Sequence, residues 1–250
     1  MAQFENGLQS HEHSLSVFRE FVRYQDFLLG LQAVADMGCG NGHDLLWWSQ
    51  LENTLYEPPE PFNYNCYAVD INTKQIDVTY PDNVHVIQAD FETKVLPRPV
   101  DFMWSHNSFQ YAINPVNTLR LWNQQINENG MLYICVPTQR YAFNSHMSRY
   151  SGNFEYYNYT LSNLIYMLAV NGFDCNDAYF MKEAGEPWLH AAVYKTAIEP
   201  MDPRTTSWAH LAQLNLLNES MVKCVNRYSK LNEDELIFKW LDQDFHFCHR

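Results

Sequence analysis

Basic residues, glycine and long apolar runs are scarce in this sequence. Sixteen lysines and arginines stand against 29 aspartates and glutamates among 250 residues, which gives a formal net charge of −13. Unaided binding to a nucleic-acid backbone needs clustered Lys and Arg to displace counterions, and the chain has no such cluster. It also has no run of about 18 apolar residues and no N-terminal pattern of a secretory signal. We therefore expect neither a nucleic acid nor a membrane among its partners.

Cysteines are few and dispersed. The six lie far apart without a C-x-x-C pair, and several stand in apolar runs, where Cys acts as a small hydrophobic residue. We expect reduced thiols and a cytoplasmic location. His11 and His13 near one end, and His246, Cys248 and His249 near the other, have metal-ligand residue types without a cluster of further ligands beside them. We expect no metal site.

Hydrophobic residues are plentiful, at 46% of the chain, and aromatic residues reach 15%. This composition is typical of a folded globular protein and excludes a disordered one. A chain of 250 residues has room for one large α/β domain, alone or with an appendage.

Three of the nine glycines fall at alternate positions, Gly38, Gly40 and Gly42. They follow a short apolar run that predicts a strand, and a helical pattern begins after them. A turn of this kind exposes bare backbone to a ligand, and we expect the first free N–H groups of the helix to point at it. Asp36 places a carboxylate directly before the turn, and Cys39 lies inside it.

The stretch from Val34 to Leu46 resembles the first motif of the class I S-adenosylmethionine-dependent methyltransferases, an acidic residue followed by G-x-G-x-G after the first strand. A dinucleotide-binding turn, G-x-G-x-x-G, is an alternative, but its third glycine would fall where His43 stands. An ordinary tight turn between a strand and a helix is another. The resemblance implies S-adenosylmethionine as cofactor, and Asp36, Cys39 and the glycines as its contacts.

The second and third predicted strands each end near an acid, Asp70 and Asp90. Ligands of α/β sheets lie across the carboxyl ends of the strands, so Asp70 is placed to accept hydrogen bonds from a ribose, beside Ile71. Capping of the next segment is an alternative role for Asp70. The resemblance implies that Asp90 accepts from the adenine amine, and that Phe91 donates its backbone N–H to the ring.

A polar turn follows the fourth predicted strand, and the resemblance places the chemistry there. The D/N-P-P-Y/F tetrapeptide of amine-methylating DNA enzymes is absent, and the segment is similar to the small-molecule branch of the family. We expect Ser105 to contact the donor. His106 is the first candidate for a general base, because the ordinary pKa of histidine lies near neutrality, and Tyr111, Tyr141 and His146 follow. Alternatively, the turn offers only backbone carbonyls, and His106 simply lines the pocket.

The order of elements predicts an α/β fold, with a doubly wound, mostly parallel seven-stranded sheet, an antiparallel last strand and a C-terminal helical extension. The expected domain spans 1–199, with an N-terminal helix at Ser14–Leu29 and an aromatic segment near 138–160 that is either a lid or a loop anchored to the core. A proline-rich insert without helix or strand follows the helix after the glycine turn, and Asn129-Gly130 is expected to stop a later helix. The five strands predicted before the final hairpin are Ala33–Met37, Cys66–Ile71, Val84–Phe91, Val100–Trp104 and Met131–Val136.

A linker at Pro200–Pro203 and an apolar stripe from Trp208 to Tyr228 predict a helical extension over 200–250, with a shorter helix at Glu233–Leu241. The stripe is either intramolecular core or a contact with a second copy, which would make a homodimer. The leading hypothesis is a methyltransferase that acts on a small-molecule acceptor through an oxygen or nitrogen nucleophile. The alternatives are a protein or nucleic-acid methyltransferase, and a non-catalytic partner subunit with the same fold.

Overall fold

The computed structural model describes residue 15 and residues 25–53, 57–137, 157, 159–182, 188–218 and 221–223. Short 3₁₀ turns lie at Thr73–Gln75 and Phe109–Tyr111. The helices and strands, in chain order, are α1 (Gln25–Leu29), β1 (Ala33–Met37), α2 (His43–Ser49), β2 (Glu52–Asn53), β3 (Glu60–Pro61), β4 (Asn65–Asp70), β5 (Val84–Gln88), β6 (Val100–His106), α3 (Pro115–Gln125), β7 (Ile126–Pro137), α4 (Leu161–Val170), β8 (Phe173–Lys182), β9 (Trp188–Lys195) and α5 (Trp208–Gln213).

Seven of the described strands form one sheet in the order β5-β4-β1-β6-β7-β9-β8. The strands from β5 to β7 run parallel, and β9 is antiparallel to both of its neighbours. This confirms the predicted fold class, including the antiparallel last strand. The chain winds outward from β1 to β5 and then returns to β6 on the other side of β1. Such a reversal of strand order opens a crevice at the carboxyl ends of the strands.

Each face of the sheet carries its own core. The face covered by α3, α4 and α5, here the α3 face, buries Trp122, Leu168 and Phe173 completely. The other face, covered by α2 and here the α2 face, buries Trp48 and Trp104. Because each fully buried large apolar side chain contributes roughly 1.5–3 kcal/mol, both layers hold the sheet in place.

The predicted helix stop at Asn129-Gly130 is wrong. Helix α3 already ends at Gln125, and β7 runs through both residues. The register between β6 and β7 shifts at this point, and Asn129 takes a left-handed backbone with φ of 62°. A Cβ at Gly130 would lie 2.6 Å from Cγ2 of Ile126. The glycine is therefore needed by an irregular strand and not by a helix end.

The insert before β4 also differs from the prediction, because it contains two short strands. Asn53 pairs with Glu60, and Glu52 pairs with Pro61, in an antiparallel pair apart from the main sheet. A two-residue strand tolerates proline, since the ring removes only one N–H from the ladder.

Helix α5 is shorter than the predicted stripe. It ends at Gln213, Asn215 takes a φ of 58°, and Leu217 forms a parallel bridge with Cys175. Four residues of this region are buried in the core of the α3 face: Leu211, Leu216, Leu217 and Met221. The predicted linker is packed as well, since the N–H of Met201 donates to the carbonyl of Val170 at 2.8 Å. The described part of the extension is thus intramolecular core, and the homodimer stays a prediction.

Some predicted elements fall wholly or partly outside the described residues. Of the N-terminal helix, the structure describes Leu15, which is helical and buried, and α1. The helix predicted at Glu233–Leu241 and most of the aromatic segment lie outside them. None of the described helices has the length and apolar character needed to cross a membrane.

Candidate functional site

A cavity of about 540 Å³ opens at the carboxyl ends of β1, β4, β5 and β6. Segments that directly follow these four strands supply its wall. Among the residues predicted from sequence, those that line it are Gly38, Gly40, Asp70, Ile71, Asp90, Phe91 and Tyr111. The fold thus brings together residues that are more than seventy positions apart in the sequence.

The glycine turn lines the cavity as bare backbone. Gly40 has a φ of 54°, and a Cβ there would meet no atom within 4 Å, so the residue faces open space. The N–H groups of Gly38 and Cys39 donate to the carbonyl of Val69 at 2.8 and 3.0 Å, and the N–H of Gly40 donates to Asp70. The turn itself therefore offers close approach rather than free donors. The expectation for the first N–H groups of helix α2 stays a prediction.

Gly38 allows the turn after β6 to pack against the glycine turn. A Cβ at Gly38 would lie 2.4 Å from the Cβ of Ser108. The Ser108 hydroxyl donates to the carbonyl of Met37 at 2.6 Å and lies 2.8 Å from the hydroxyl of Ser105. Ser108 lines the cavity, whereas Ser105 is buried behind it. The structure thus places Ser105 as a support of the wall.

Gly42 has a packing role. Its φ is 92°, and a Cβ would lie 2.4 Å from the hydroxyl oxygen of Tyr80. That hydroxyl donates to the carbonyl of Gly42 at 3.1 Å. The third glycine therefore lets the chain between β4 and β5 cover the start of α2, and it does not line the cavity.

Asp70 ties two cavity segments together. Its Oδ2 accepts from the N–H of Gly40 at 3.0 Å, and its Oδ1 accepts from the N–H of Asn72 at 2.8 Å. The side chain is nearly buried, yet it forms part of the cavity wall. Asp70 therefore caps the turn after β4 and also presents a fixed carboxylate to the cavity. Both roles predicted for this position are compatible with these contacts.

Asp90 and Phe91 follow β5, which ends at Gln88 and so is shorter than predicted. The Oδ1 of Asp90 accepts from the N–H of Glu92 at 2.9 Å. The carbonyl of Phe91 accepts from the indole N–H of Trp122 at 3.1 Å, and the two rings are 5.8 Å apart. These contacts anchor the segment to α3 while both residues line the cavity.

Sequence reasoning missed six lining residues: Asn72, Gln75, Glu92, Asn107, Ser108 and Ile113. All lie in the segments that follow β4, β5 and β6. The available signal was their nearness to predicted strand ends, where polar residues of α/β folds gather around ligands.

The carboxylates of Asp70, Asp90 and Glu92 line the cavity, and Lys, Arg and His are absent from its described lining. Ile71 and Ile113 add apolar surface to the same wall while remaining 70% and 68% exposed. The cavity therefore favours a ligand that combines positive charge with an apolar ring.

Asp36 does not line this cavity but is buried on the α2 face. Burial, followed by the nearby charges of Asp44 and Asp70, raises the pKa of Asp36 well above its usual value. Burial of the Cys39 side chain, followed by the nearby charges of Asp36 and Asp70, raises the pKa of its thiol. Cys39 is therefore a neutral thiol and not an activated nucleophile.

His106 lies beside Asp44 on the α2 face, one residue before the cavity wall. Its Nδ1 is 3.9 Å from Oδ2 of Asp44, and the imidazole is 1% exposed. The same Oδ2 accepts from the indole N–H of Trp104 at 2.8 Å. The carboxylate is thus held between the indole and the imidazole.

Of the other candidate bases, Tyr111 lines the cavity, and Tyr141 and His146 lie outside the described residues. The described end of the aromatic segment contacts the cavity wall. The N–H of Tyr157 donates to the carbonyl of Gln110 at 3.2 Å, and its hydroxyl donates to the carbonyl of Ile113 at 3.1 Å. Within the described residues, no group of three His, Cys, Asp or Glu side chains is arranged to hold a metal ion.

Comparison with solved structures finds similar folds at low identity. A Listeria monocytogenes protein described, without an established activity, as an S-adenosylmethionine-dependent methyltransferase is 17% identical, with a TM-score of 0.51, over 67% of this chain and 92% of that one. The plantazolicin methyltransferase BpumL with S-adenosylhomocysteine is 15% identical, with a TM-score of 0.53, over 75% and 82%. Magnesium protoporphyrin IX methyltransferase from Synechocystis is 12% identical, with a TM-score of 0.52, over 74% and 80%. These likenesses show the fold.

The family comparison adds the activity. Residues 35–134 match the family described as methyltransferase domain. No curated protein matches the sequence. The matched segment runs from β1 to β7 and includes all the described residues that line the cavity. Residues 35–134 thus form a methyltransferase domain, and the sheet has the strand order of the Rossmann-like methyltransferase fold.

Proposed function

We propose that the protein binds S-adenosylmethionine in the cavity at the ends of β1, β4, β5 and β6 and transfers its methyl group to a small-molecule acceptor. The observation that carries the proposal is the meeting of the glycine turn, Asp70 and Asp90 around one cavity of about 540 Å³.

The residues of the cavity fit the donor. S-adenosylmethionine carries a sulfonium and an ammonium group, and the carboxylates of Asp70 and Asp90 complement their charge. Ile71 and Ile113 offer apolar surface for the adenine ring. The open space at Gly40 admits the donor against the backbone, where any Cβ would narrow the approach.

The donor supplies an already activated methyl group, so the main task of the protein is alignment. Rigid positioning of two reactants lowers a reaction barrier by on the order of 7–11 kcal/mol. The wall provides such rigidity, because the carboxylate of Asp70 and the hydroxyl of Ser108 are fixed by backbone hydrogen bonds. We assign the donor contacts to Gly38, Gly40 and Asp70, together with Ile71, Asp90 and Phe91.

We assign the general base to His106 for acceptors that must lose a proton. Asp44 supports this role, since its carboxylate lies 3.9 Å from Nδ1 and favours a proton there, which leaves Nε2 as the basic nitrogen. Tyr111 lines the cavity and is the second candidate.

A small-molecule acceptor is supported by two similar folds. One is named for its action on plantazolicin and was solved with a plantazolicin analogue, and the other is named for magnesium protoporphyrin IX. The formal net charge of −13 disfavours nucleic acid as the acceptor. Incubation with methyl-labelled donor and a fractionated metabolite extract tests this assignment. We expect label in a small product; label only in protein or nucleic acid would contradict it.

Calorimetric titration with the donor tests the site itself. We expect Asp70→Ala to weaken the affinity about 10- to 100-fold, because charge-assisted hydrogen bonds contribute about 1.5–3 kcal/mol. If Asp70→Ala does not fold, Asp70→Asn replaces it. This variant retains one acceptor oxygen, so we expect a smaller loss of affinity. Asp77→Ala is the matched control, since Asp77 is a half-exposed acid in the same crossover that does not line the cavity. Unchanged affinity in both Asp70 variants would place the donor elsewhere.

A further inference from the structure

Ile113 is a large apolar side chain that remains exposed on the cavity wall. Its 68% exposure contrasts with the complete burial of Phe109, four residues earlier in the same segment. An exposed isoleucine contributes to ligand binding only if its backbone is fixed, because a mobile segment would lose conformational entropy on binding. The contacts of the Ile113 backbone therefore determine how much this side chain contributes to ligand binding.

Glu92 fixes this backbone from the opposite segment. Its Oε1 accepts from the N–H of Ile113 at 2.7 Å, and its Oε2 accepts from the N–H of Asn114 at 2.9 Å and from the hydroxyl of Thr118 at 3.2 Å. The carboxylate thus bridges the segment after β5 to the segment after β6. Hydrogen bonds to an ionised acceptor are shorter and stronger than neutral ones.

The carbonyl of Ile113 is held as well. It accepts from the hydroxyl of Tyr157 at 3.1 Å, and the N–H of Tyr157 donates to the carbonyl of Gln110 at 3.2 Å. Both polar backbone groups of Ile113 are therefore engaged, one by each flanking segment. This arrangement leaves the side chain as the part that is available to a ligand.

We propose that Glu92 is a positioning residue of the donor site and acts through Ile113. The carboxylate sets the backbone so that the isoleucine side chain meets the adenine ring of the bound donor. The inference rests on the proposed placement of the donor in this cavity.

A purely structural role for Glu92 makes a different prediction. The carboxylate also lies at the start of α3 (Pro115–Gln125), where an acid stabilises a helix by accepting from its first N–H groups. A cap of this kind changes the stability of the fold but has no reason to act on the donor through Ile113. A double-mutant cycle separates the two roles.

The experiment measures the dissociation constant of S-adenosylmethionine by calorimetry for wild type, Glu92→Gln, Ile113→Ala and the double variant of the full chain. We expect each single variant to weaken binding about tenfold, which corresponds to about 1.4 kcal/mol. We expect the double variant to be within about twofold of Ile113→Ala, because residues that act as one unit are not additive.

Asn114→Ala is the matched control for helix stability. The Oδ1 of Asn114 accepts from the N–H of Asn117 at 3.2 Å, so the substitution removes a cap of α3 but keeps the backbone N–H that donates to Glu92. We expect a lower melting temperature and an unchanged donor affinity.

If the double variant loses about 100-fold in donor affinity, the product of the two single losses, the proposal is overturned. Glu92 would then act independently of Ile113. Unchanged affinity in Glu92→Gln alongside a loss in Ile113→Ala would overturn it too, while leaving the donor in the cavity. Unchanged affinity in Ile113→Ala and in Asp70→Ala would instead overturn the proposed function on which it rests.

Discussion

The two faces of the sheet differ in the polar groups they bury. On the α3 face the described buried polar side chains are hydroxyls and amides: Ser105, Ser108, Gln110, Thr118, Asn123, Gln125 and Asn171. The α2 face buries the hydroxyl of Ser49 as well, but it also buries four ionisable side chains: Asp36, Asp44, His106 and His190. Strand alternation places these strand residues there, since Asp36 shares a side with Val34 and His106 with Trp104.

A buried ionisable group costs free energy unless it is paired, so a fold tolerates it mainly where it serves a purpose. On the α2 face, the hydroxyl of Tyr133 lies 2.8 Å from Nδ1 of His190, and the Tyr133 ring stacks on Trp104 at 4.1 Å. His190 is thus a core histidine within a polar network. From this contrast we propose that the α2 face contributes proton chemistry, while the α3 face contributes stability.

Substitution of His106 tests the chemical half of this contrast and has the largest expected effect. We expect His106→Gln to lower kcat about 10²- to 10⁴-fold for an acceptor that must lose a proton, the usual contribution of a general base. The rise of rate with pH through the imidazole pKa should disappear as well. The measurement is kcat against pH with methyl-labelled donor.

The matched control is His85→Gln, since His85 is exposed on β5 and stacks on Tyr67 at 5.4 Å, away from the cavity lining. This variant should keep both the rate and the pH profile. A fully active His106→Gln with the wild-type pH profile would remove the general-base assignment and leave His106 as packing.

Leu168→Ala tests the structural half of the contrast. Leu168 is completely buried on α4, and its truncation should lower the free energy of unfolding by about 2–5 kcal/mol, the usual cost of a large-to-small change in a core. Urea denaturation measures this loss. Donor affinity of the folded protein should stay within about twofold of wild type. Weaker donor binding at equal folded concentration would mean that the two faces are coupled.

The order of the strands was predictable from the sequence because most of them contain short apolar runs, although the bounds of β5 and β7 differ from the prediction. Both faces of β1 are covered, so all of its residues are buried and the run reads as continuous. Strand irregularity was not predictable. The role of Asn129-Gly130 depends on the shifted pairing of β7 with β6, which no local pattern encodes.

The cavity was predictable as far as strand ends determine it. Gly40, Asp70 and Asp90 follow directly from motif and position. The packing role of Gly42 against Tyr80 joins residues 38 positions apart, and the bond between Glu92 and Ile113 spans 21 positions. Such contacts depend on how two loops meet after the sheet forms, so the sequence alone does not reveal them.

The smallest expected effect on the contrast between the two faces concerns Asp36, a buried acid of the α2 face. Burial, then Asp44 and Asp70, raise the pKa of Asp36 well above its usual value in the folded protein. An unfolded aspartate loses its proton near pH ~3.9, so above that pH the folded state retains a proton that the unfolded state has released. The contribution of Asp36 to the free energy of unfolding therefore decreases as the pH rises from the unfolded pKa toward the raised pKa of the folded state.

Asp36→Asn cannot ionise and should abolish this loss. Its free energy of unfolding, relative to wild type, should increase from about pH 5 to about pH 8, by at most about 1.4 kcal/mol per pH unit, which is the slope for one proton. Urea denaturation at both pH values measures the change, with Asp82→Asn, a substitution of an exposed acid, as control. A constant difference would mean that Asp36 is already ionised in the fold. The α2 face would then hold a charged carboxylate where we infer a neutral one.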